Sequence, residues 1–278
     1  MHDIKKTKKI KSLVLSGGGF KGITYIGLIR YLEENNLFSS IETFVGTSAG
    51  SIICCFLSLG YNSKELEQIT KLIFPKFYQY QTITIDAIIN ILNTYGLEEG
   101  QKINQLYKRL FIKKGFSPFI TFKELFLKTK KKLIMTATNL NKQKGININY
   151  ETFPNLMVIK GLEMSTRIPV LFNPIIYKND YIVDGGITNN FAINQIQDKS
   201  TMLGVYVRDN NVIRNFSSFI ISVLSTFINL QPNNHRYNDN CFNIELYDVS
   251  SYSEKVSNKD IDLIINQGYQ QTEKYFKT

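Results

Sequence analysis

The chain has little of two residue types on which protein chemistry often depends: three cysteines and two histidines in 278 residues. Three cysteines, two of them adjacent at Cys54 and Cys55 in an apolar stretch, cannot make a disulfide framework. They suit a reducing compartment and a packing role. No run of about 20 apolar residues exists to span a bilayer. The stretch to Lys11 holds five lysines with no apolar segment behind them, so no secretory signal is expected there. No His, Cys and Asp cluster has metal-site spacing, so neither metal nor other cofactor is expected. These absences exclude a disulfide-stapled secreted module and an integral membrane protein. A cytoplasmic protein, soluble or peripheral to membranes, is the expectation.

What is present is ordinary globular material, 43% hydrophobic and 20% charged, which argues against disorder. The length suits one large α/β domain over 12–278 behind a basic tail over 1–11. The net charge of +10 favours an anionic partner, and an anionic lipid surface is expected ahead of nucleic acid. Lysines dominate the basic residues and no base-stacking motif accompanies them. Lysine clusters at Lys5–Lys11 and Lys128–Lys132 could dock on such a surface.

The most informative stretch is Phe44-Val45-Gly46-Thr47-Ser48-Ala49-Gly50-Ser51. An apolar run from Ile41 to Val45 reads as a buried strand, and Ala49 to Leu59 reads as an apolar helix. Between them Gly46-x-Ser48-x-Gly50 has the nucleophile-elbow pattern in the strand–turn–helix context it requires. A serine projected from so tight a turn has a strained backbone, and side chains at Gly46 or Gly50 would collide with neighbouring elements. The amide of Ala49 and the helix N-terminus then lie where negative charge develops on an attacked carbonyl.

Upstream, Lys11 to Ser16 reads as the first strand, and a helix follows from about Ile23 to Glu34. Between them lies Gly17-Gly18-Gly19-Phe20-Lys21-Gly22, formally G-x-G-x-x-G. A dinucleotide site would want an acidic residue at the end of the second strand, but Glu42 sits near that strand's beginning. A P-loop would want Lys-Ser/Thr after Gly22, where Ile23 stands. Bare backbone N–H groups from Gly18 and Gly19, aimed at an oxyanion, are the remaining use of these glycines.

Further on, the spacing predicts a helix from Asn62 ended by Pro75, helices over Ala87–Leu92 and Ile103–Phe111, and a capping box at Thr121-x-x-Glu124. A hairpin joins Lys132–Thr138 to Ile146–Tyr150, and a helix covers Val158–Arg167. A second hairpin joins Asn173–Tyr177 to Tyr181–Val183 and ends in Asp184-Gly185-Gly186. A strand (Met202–Val207), an apolar helix (Phe216–Leu230), a strand (Phe242–Val249) and a helix (Asp260–Phe276) complete the chain. The apolar helix reads as core or as an interfacial helix.

A serine nucleophile needs a proton acceptor, usually histidine. His2 lies in the tail. His235 stands in chain order for a Ser48–Asp184–His235 triad, but its polar loop setting, with no strand end to fix it, favours a solvated loop histidine.

The ordered triple GGGFKG, GTSAG and DGG resembles the patatin-like phospholipase family over about Leu13 to Gln197. Softer likenesses are Thr121-Phe-Lys-Glu-Leu, Ala137-Thr138-Asn139-Leu140 and Ser165-x-x-Ile168-Pro169. The resemblance implies a three-layer α/β/α fold with a mostly parallel sheet, related to α/β-hydrolases, and lipid acyl hydrolysis without cofactor. It implies Ser48 as nucleophile, Asp184 as its base, and Gly17, Gly18, Gly19 and Gly22 as the oxyanion loop. Lys21 matches a basic residue common at that place in the family. The sequence departs after DGG, where Asn190 is followed by Phe191-Ala192 and not by x-Pro. The resemblance further implies a phospholipid or other acyl-ester substrate. Some members, injected by bacteria into host cells, need a host-protein activator. A catalytically weak membrane-binding module on the same fold is the alternative from another functional class.

Overall fold

The computed structural model describes residues 9–77, 94–98, 100–208, 213, 216–229, 239–247 and 256–278. In chain order come β1 (Ser12–Leu15), a 3-10 turn (Gly19–Ile23) running into α1 (Thr24–Glu34), β2 (Thr43–Thr47), α2 (Ala49–Ser58) and α3 (Ser63–Phe77). Then follow β3 (Gly96–Glu98), α4 (Gln101–Lys113), α5 (Phe122–Thr129), β4 (Lys132–Asn139), β5 (Lys144–Ile148) and α6 (Val158–Ser165). The remainder is β6 (Val170–Phe172), β7 (Ile175–Tyr177), β8 (Asp180–Asp184), α7 (Gly186–Asn189), β9 (Met202–Val207), α8 (Phe216–Asn229), β10 (Cys241–Ile244) and α9 (Asn258–Lys277).

The main sheet runs β10-β9-β1-β2-β4-β8-β7, with β5 also paired to β4. The strands from β10 to β4 are mutually parallel, whereas β5 and β8 run antiparallel to β4, as β7 does to β8. Parallel strands are covered on both faces and so read as continuous apolar runs. In β1 all of Ser12-Leu13-Val14-Leu15 is buried. Leu13 and Leu15 face the larger core with α1, α2 and α9, while Val14, Val45 and Ile134 face a smaller one closed by Phe191, Ile193 and Ile196. This is an α/β architecture, with the thinner cover on the second face.

The expected elements form with shifted ends. The capping box closes at Thr121, whose side chain accepts from the Glu124 amide while the Glu124 carboxylate accepts in return. Two expectations need correction. The helix expected to end at Pro75 continues to Phe77, because proline removes only its own N–H bond and its fixed φ is compatible with the helix, so the two residues after it can keep helical backbone. The strand after Phe242 closes at Ile244. The expected helix over 87–92, His2 and His235 lie outside the described residues. Not anticipated was the small parallel pair of β3 and β6, three residues each.

α1 and α9 cross closely. A Cβ on Gly27 would lie 1.9 Å from the Ile265 carbonyl oxygen, and one on Gly268 would lie 2.1 Å from that of Thr24. Beside this crossing Tyr31 stacks on Phe276 and meets Tyr269 edge-on. Gly27→Ala should therefore cost about 2 kcal/mol or more through forced separation of the helices. Urea unfolding would read this as a lowered midpoint, and an unchanged midpoint would contradict so close a contact.

Candidate active site

The pairing around β4 brings the two ends of the site together. β5 occupies one edge of β4 along Met135–Asn139. On the other edge β2 pairs as far as Thr47↔Thr136, and β8, arriving from the opposite direction, ends at Asp184↔Ala137. The two strands thus meet end to end on one edge, and Ser48 follows the first while Asp184 closes the second.

Hydroxyls lock that junction. The Thr47 and Thr136 hydroxyls share a hydrogen bond of 2.7 Å, and Thr47 also donates to the Asn189 carbonyl at 3.0 Å. Thr138 donates to the Asp184 carbonyl at 2.9 Å. The Asp184 amide donates to the Arg167 carbonyl at 2.9 Å.

Ser48 sits between β2 and α2 with φ 51° and ψ −118°, well outside the regions an L-residue prefers. Such a conformation costs about 1–3 kcal/mol and persists where neighbours over-determine it. Here they do. Ser48 N–H donates to the Ser165 hydroxyl at 3.2 Å, and Ser165 shares a 2.7 Å hydrogen bond with Ser51. A Cβ on Gly46 would lie 2.4 Å from Ser51 N, and one on Gly50 would lie 2.3 Å from the Leu15 carbonyl oxygen. The elbow glycines are thus required by close approach.

Asp184 is buried, and its Oδ1 accepts the Gly186 N–H at 2.8 Å. Burial pushes its pKa up to about 6, against the opposing pull of the Ser48 hydroxyl and the Gly186 amide. Ser48 and Asp184 interact without a fully formed hydrogen bond, since Oδ2 is buried and has no hydrogen-bond partner. A buried acceptor without a donor is expensive, and such exceptions concentrate where chemistry needs them.

The glycine-rich loop lies beside this pair. The Gly17 amide is committed to the Asn190 carbonyl at 3.1 Å, and a Cβ there would lie 2.4 Å from Asn190 Oδ1 and 3.3 Å from Ser48 Cβ. Gly17 therefore serves by the space it leaves. Gly18 precedes the 3-10 turn, and Gly19 opens it at φ +55°. Among the described residues the amides of Gly18 and Gly19 have no acceptor, and Ala49 opens α2, where the first amides lack helical partners. A Cβ on Gly22 would lie 2.8 Å from that of Ala49, which explains the fourth glycine. Lys21 is buried beneath the loop, and burial lowers its pKa to about 8.

A cavity of about 220 Å³ opens from Ser48, Ala49 and Gly19, with Phe20, Ile52, Ile103, Ile168 and Phe172 among its walls. Its polar members include Asn104, Tyr107, Thr166, Glu163 and Arg167, and the last two form a buried ion pair at 3.7 Å. Sequence reasoning did not anticipate this cluster, nor the bracing by Thr47, Thr136 and Ser51. Ser165, Thr138 and Asn190 stood inside motif segments without assigned work. Among the described residues no group of three or more His, Cys, Asp or Glu side chains could hold a metal ion.

A family profile described as patatin-like phospholipase matches residues 13–196. The chain belongs to the patatin-like phospholipase family. "Probable lipid hydrolase 463L" of Invertebrate iridescent virus 6 is 35% identical over 238 residues, covering 84% of this chain and 76% of that protein. VipD from Legionella pneumophila superposes with a TM-score of 0.64 at 18% identity, over 96% of this chain and 67% of VipD. The type III effector protein ExoU gives 0.59 at 14% identity, and this chain spans about half of it, 53%. The last two likenesses concern the fold alone. Family membership and the viral relative support lipid ester hydrolysis for this patatin-like chain.

The raised pKa of Asp184 carries a stability consequence. The folded state holds this proton more tightly than the unfolded state, so ionisation costs stability as pH rises from about 4 through about 6. Asp184→Asn removes that cost. The variant should be more stable than wild type at pH 8 by up to about 3 kcal/mol, with the difference vanishing below pH about 4. Thermal melts at the two pH values test this; equal melting temperatures at pH 8 would contradict it.

Proposed function

We propose that this chain is a lipid acyl hydrolase of the phospholipase A type, with Ser48 as nucleophile and Asp184 as its base. The observation that carries the reading is the buried Asp184 carboxylate, with one oxygen unpartnered, beside a serine held in a strained elbow. The Ser48 oxygen bonds to the ester carbonyl carbon while its proton passes to Asp184. Charge on the carbonyl oxygen meets the amides of Gly18 and Gly19, aided by the amide of Ala49 at the α2 N-terminus. The leaving alkoxide takes the proton from Asp184 as the carbon–oxygen bond breaks, leaving an acyl-serine. Water attacks that ester and gives its proton to Asp184, which passes it to the Ser48 oxygen as the acyl–oxygen bond breaks and the fatty acid leaves. A carboxylate pKa near 6 suits this base better than an ordinary one, because it narrows the gap to the serine hydroxyl. The apolar walls of the cavity suit a hydrocarbon chain.

Fatty-acid release from mixed phospholipid vesicles, read by mass spectrometry, tests the reading. Ser48→Ala and Asp184→Asn should each lower the rate at least about a thousandfold. His235→Ala should leave most of it, and equal loss there would favour the triad instead. The wild-type rate should rise with pH and level off above about 6, as Asp184 must be ionised to accept the proton. A rate falling across that range would contradict the assignment.

A further inference from the structure

α8 breaks the pattern of the other long helices. α4 exposes Lys102, Lys108, Arg109 and Lys113, and α9 exposes Lys259, Asp262, Lys274 and Lys277. The fourteen residues of α8, FSSFIISVLSTFIN, include no charge. Its exposed positions include Phe219, Val223 and Phe227, which are 48%, 37% and 67% exposed. At spacings of four these three form one apolar stripe along the helix. An exposed helix face in water ordinarily carries polar side chains, and a stripe such as this marks a docking surface.

Its place in the fold ties the stripe to the site. β9 ends at Val207 beside the glycine-rich loop: the Val207 amide donates to the Ser16 hydroxyl at 3.1 Å, and a Cβ on Gly18 would rest 3.4 Å from that of Val207. α8 follows and packs on α7, the turn that begins with the DGG glycine Gly186. The helix therefore lies against the turn that follows Asp184, near the junction where Ser48 and Asp184 meet.

We infer that the Phe219–Val223–Phe227 stripe of α8 docks this protein on the surface of an anionic lipid bilayer, next to the acyl-hydrolase site. The inference rests on the proposed function for the relevance of lipid, and on charge for the choice of occupant. The chain carries a net charge of +10, so two copies repel each other while an anionic bilayer attracts both. Aromatic side chains at the headgroup boundary then add burial that salt does not screen.

The protein contains no tryptophan, which makes Phe227→Trp a unique reporter. In full-length protein also carrying Ser48→Ala, which keeps the vesicles intact, phosphatidylserine–phosphatidylcholine vesicles should shift the Trp emission to the blue. Lipids brominated in the acyl chains should quench it. Phe219→Asp with Phe227→Asp should weaken vesicle flotation at least about tenfold. Phe219→Ser with Phe227→Ser, a milder change, should weaken it in the same direction. Both pairs, made with Ser48 intact, should hydrolyse a monomeric short-chain ester as wild type does. Unchanged Trp emission, undiminished flotation of both pairs, or loss of ester hydrolysis along with flotation in both would each overturn the inference. So would a concentration-dependent dimer that the Asp pair abolishes. Failure of the wild type to hydrolyse the ester would instead count against the acyl-hydrolase reading, with vesicle docking still measured by the Trp signal.

Discussion

The site depends on one shared edge. β4 accepts β2 along its first half and the oppositely directed β8 along its second, so two strands end against each other instead of passing. A gap in a sheet is where backbone groups and side chains become available to something other than the sheet. Here the gap holds a serine after one strand and an aspartate at the end of the other. Threonines of β2 and β4 tie the three strands with side-chain hydrogen bonds, Thr47 to Thr136 and Thr138 to the β8 carbonyl of Asp184, so the spacing is set by the sheet and not by a mobile loop.

That arrangement carries two local costs within one neighbourhood: a non-glycine residue at positive φ and a buried carboxylate with an unpartnered oxygen. Each opposes folding, and each is held in place by surrounding structure that gains from burial elsewhere. The Ser165 hydroxyl steadies the Ser48 amide, and the Gly186 amide holds one oxygen of Asp184. Stability is spent where the proposed reaction needs a poised base and a presented hydroxyl. The larger core between the sheet and α1, α2 and α9 supplies the compensation, with Leu13, Leu15, Phe44 and Leu133 at its centre.

Much of this was legible in the sequence where the cause is local. Gly46-x-Ser48-x-Gly50 declares itself because a tight strand-to-helix turn leaves no room for side chains at the flanking positions. The glycine-rich loop was legible for a related reason, although the commitment of the Gly17 amide to Asn190 was not, since that bond crosses from β1 to the end of α7. Asp184 could be found only by joining three motifs, because what sets it beside Ser48 is strand pairing between distant segments. Thr136 and Ser51 carry no sequence signature, since a buried hydroxyl looks like any other until its neighbours are known. β3 and β6 are too short to show periodicity, and Val170 sits at φ 71°, which no propensity anticipates.

The Ser48–Asp184 pairing expresses itself most directly in the reactivity of the Ser48 hydroxyl. A fluorophosphonate forms a stable phosphonyl ester only with a serine whose hydroxyl is activated, and peptide mass spectrometry locates the adduct. Incubated with the full-length protein at pH 8, the reagent should label Ser48 alone, and labelling should collapse in Asp184→Asn while persisting in His235→Ala. An adduct on another residue, or labelling of Ser48 that is indifferent to Asp184, would contradict the Ser48–Asp184 pairing.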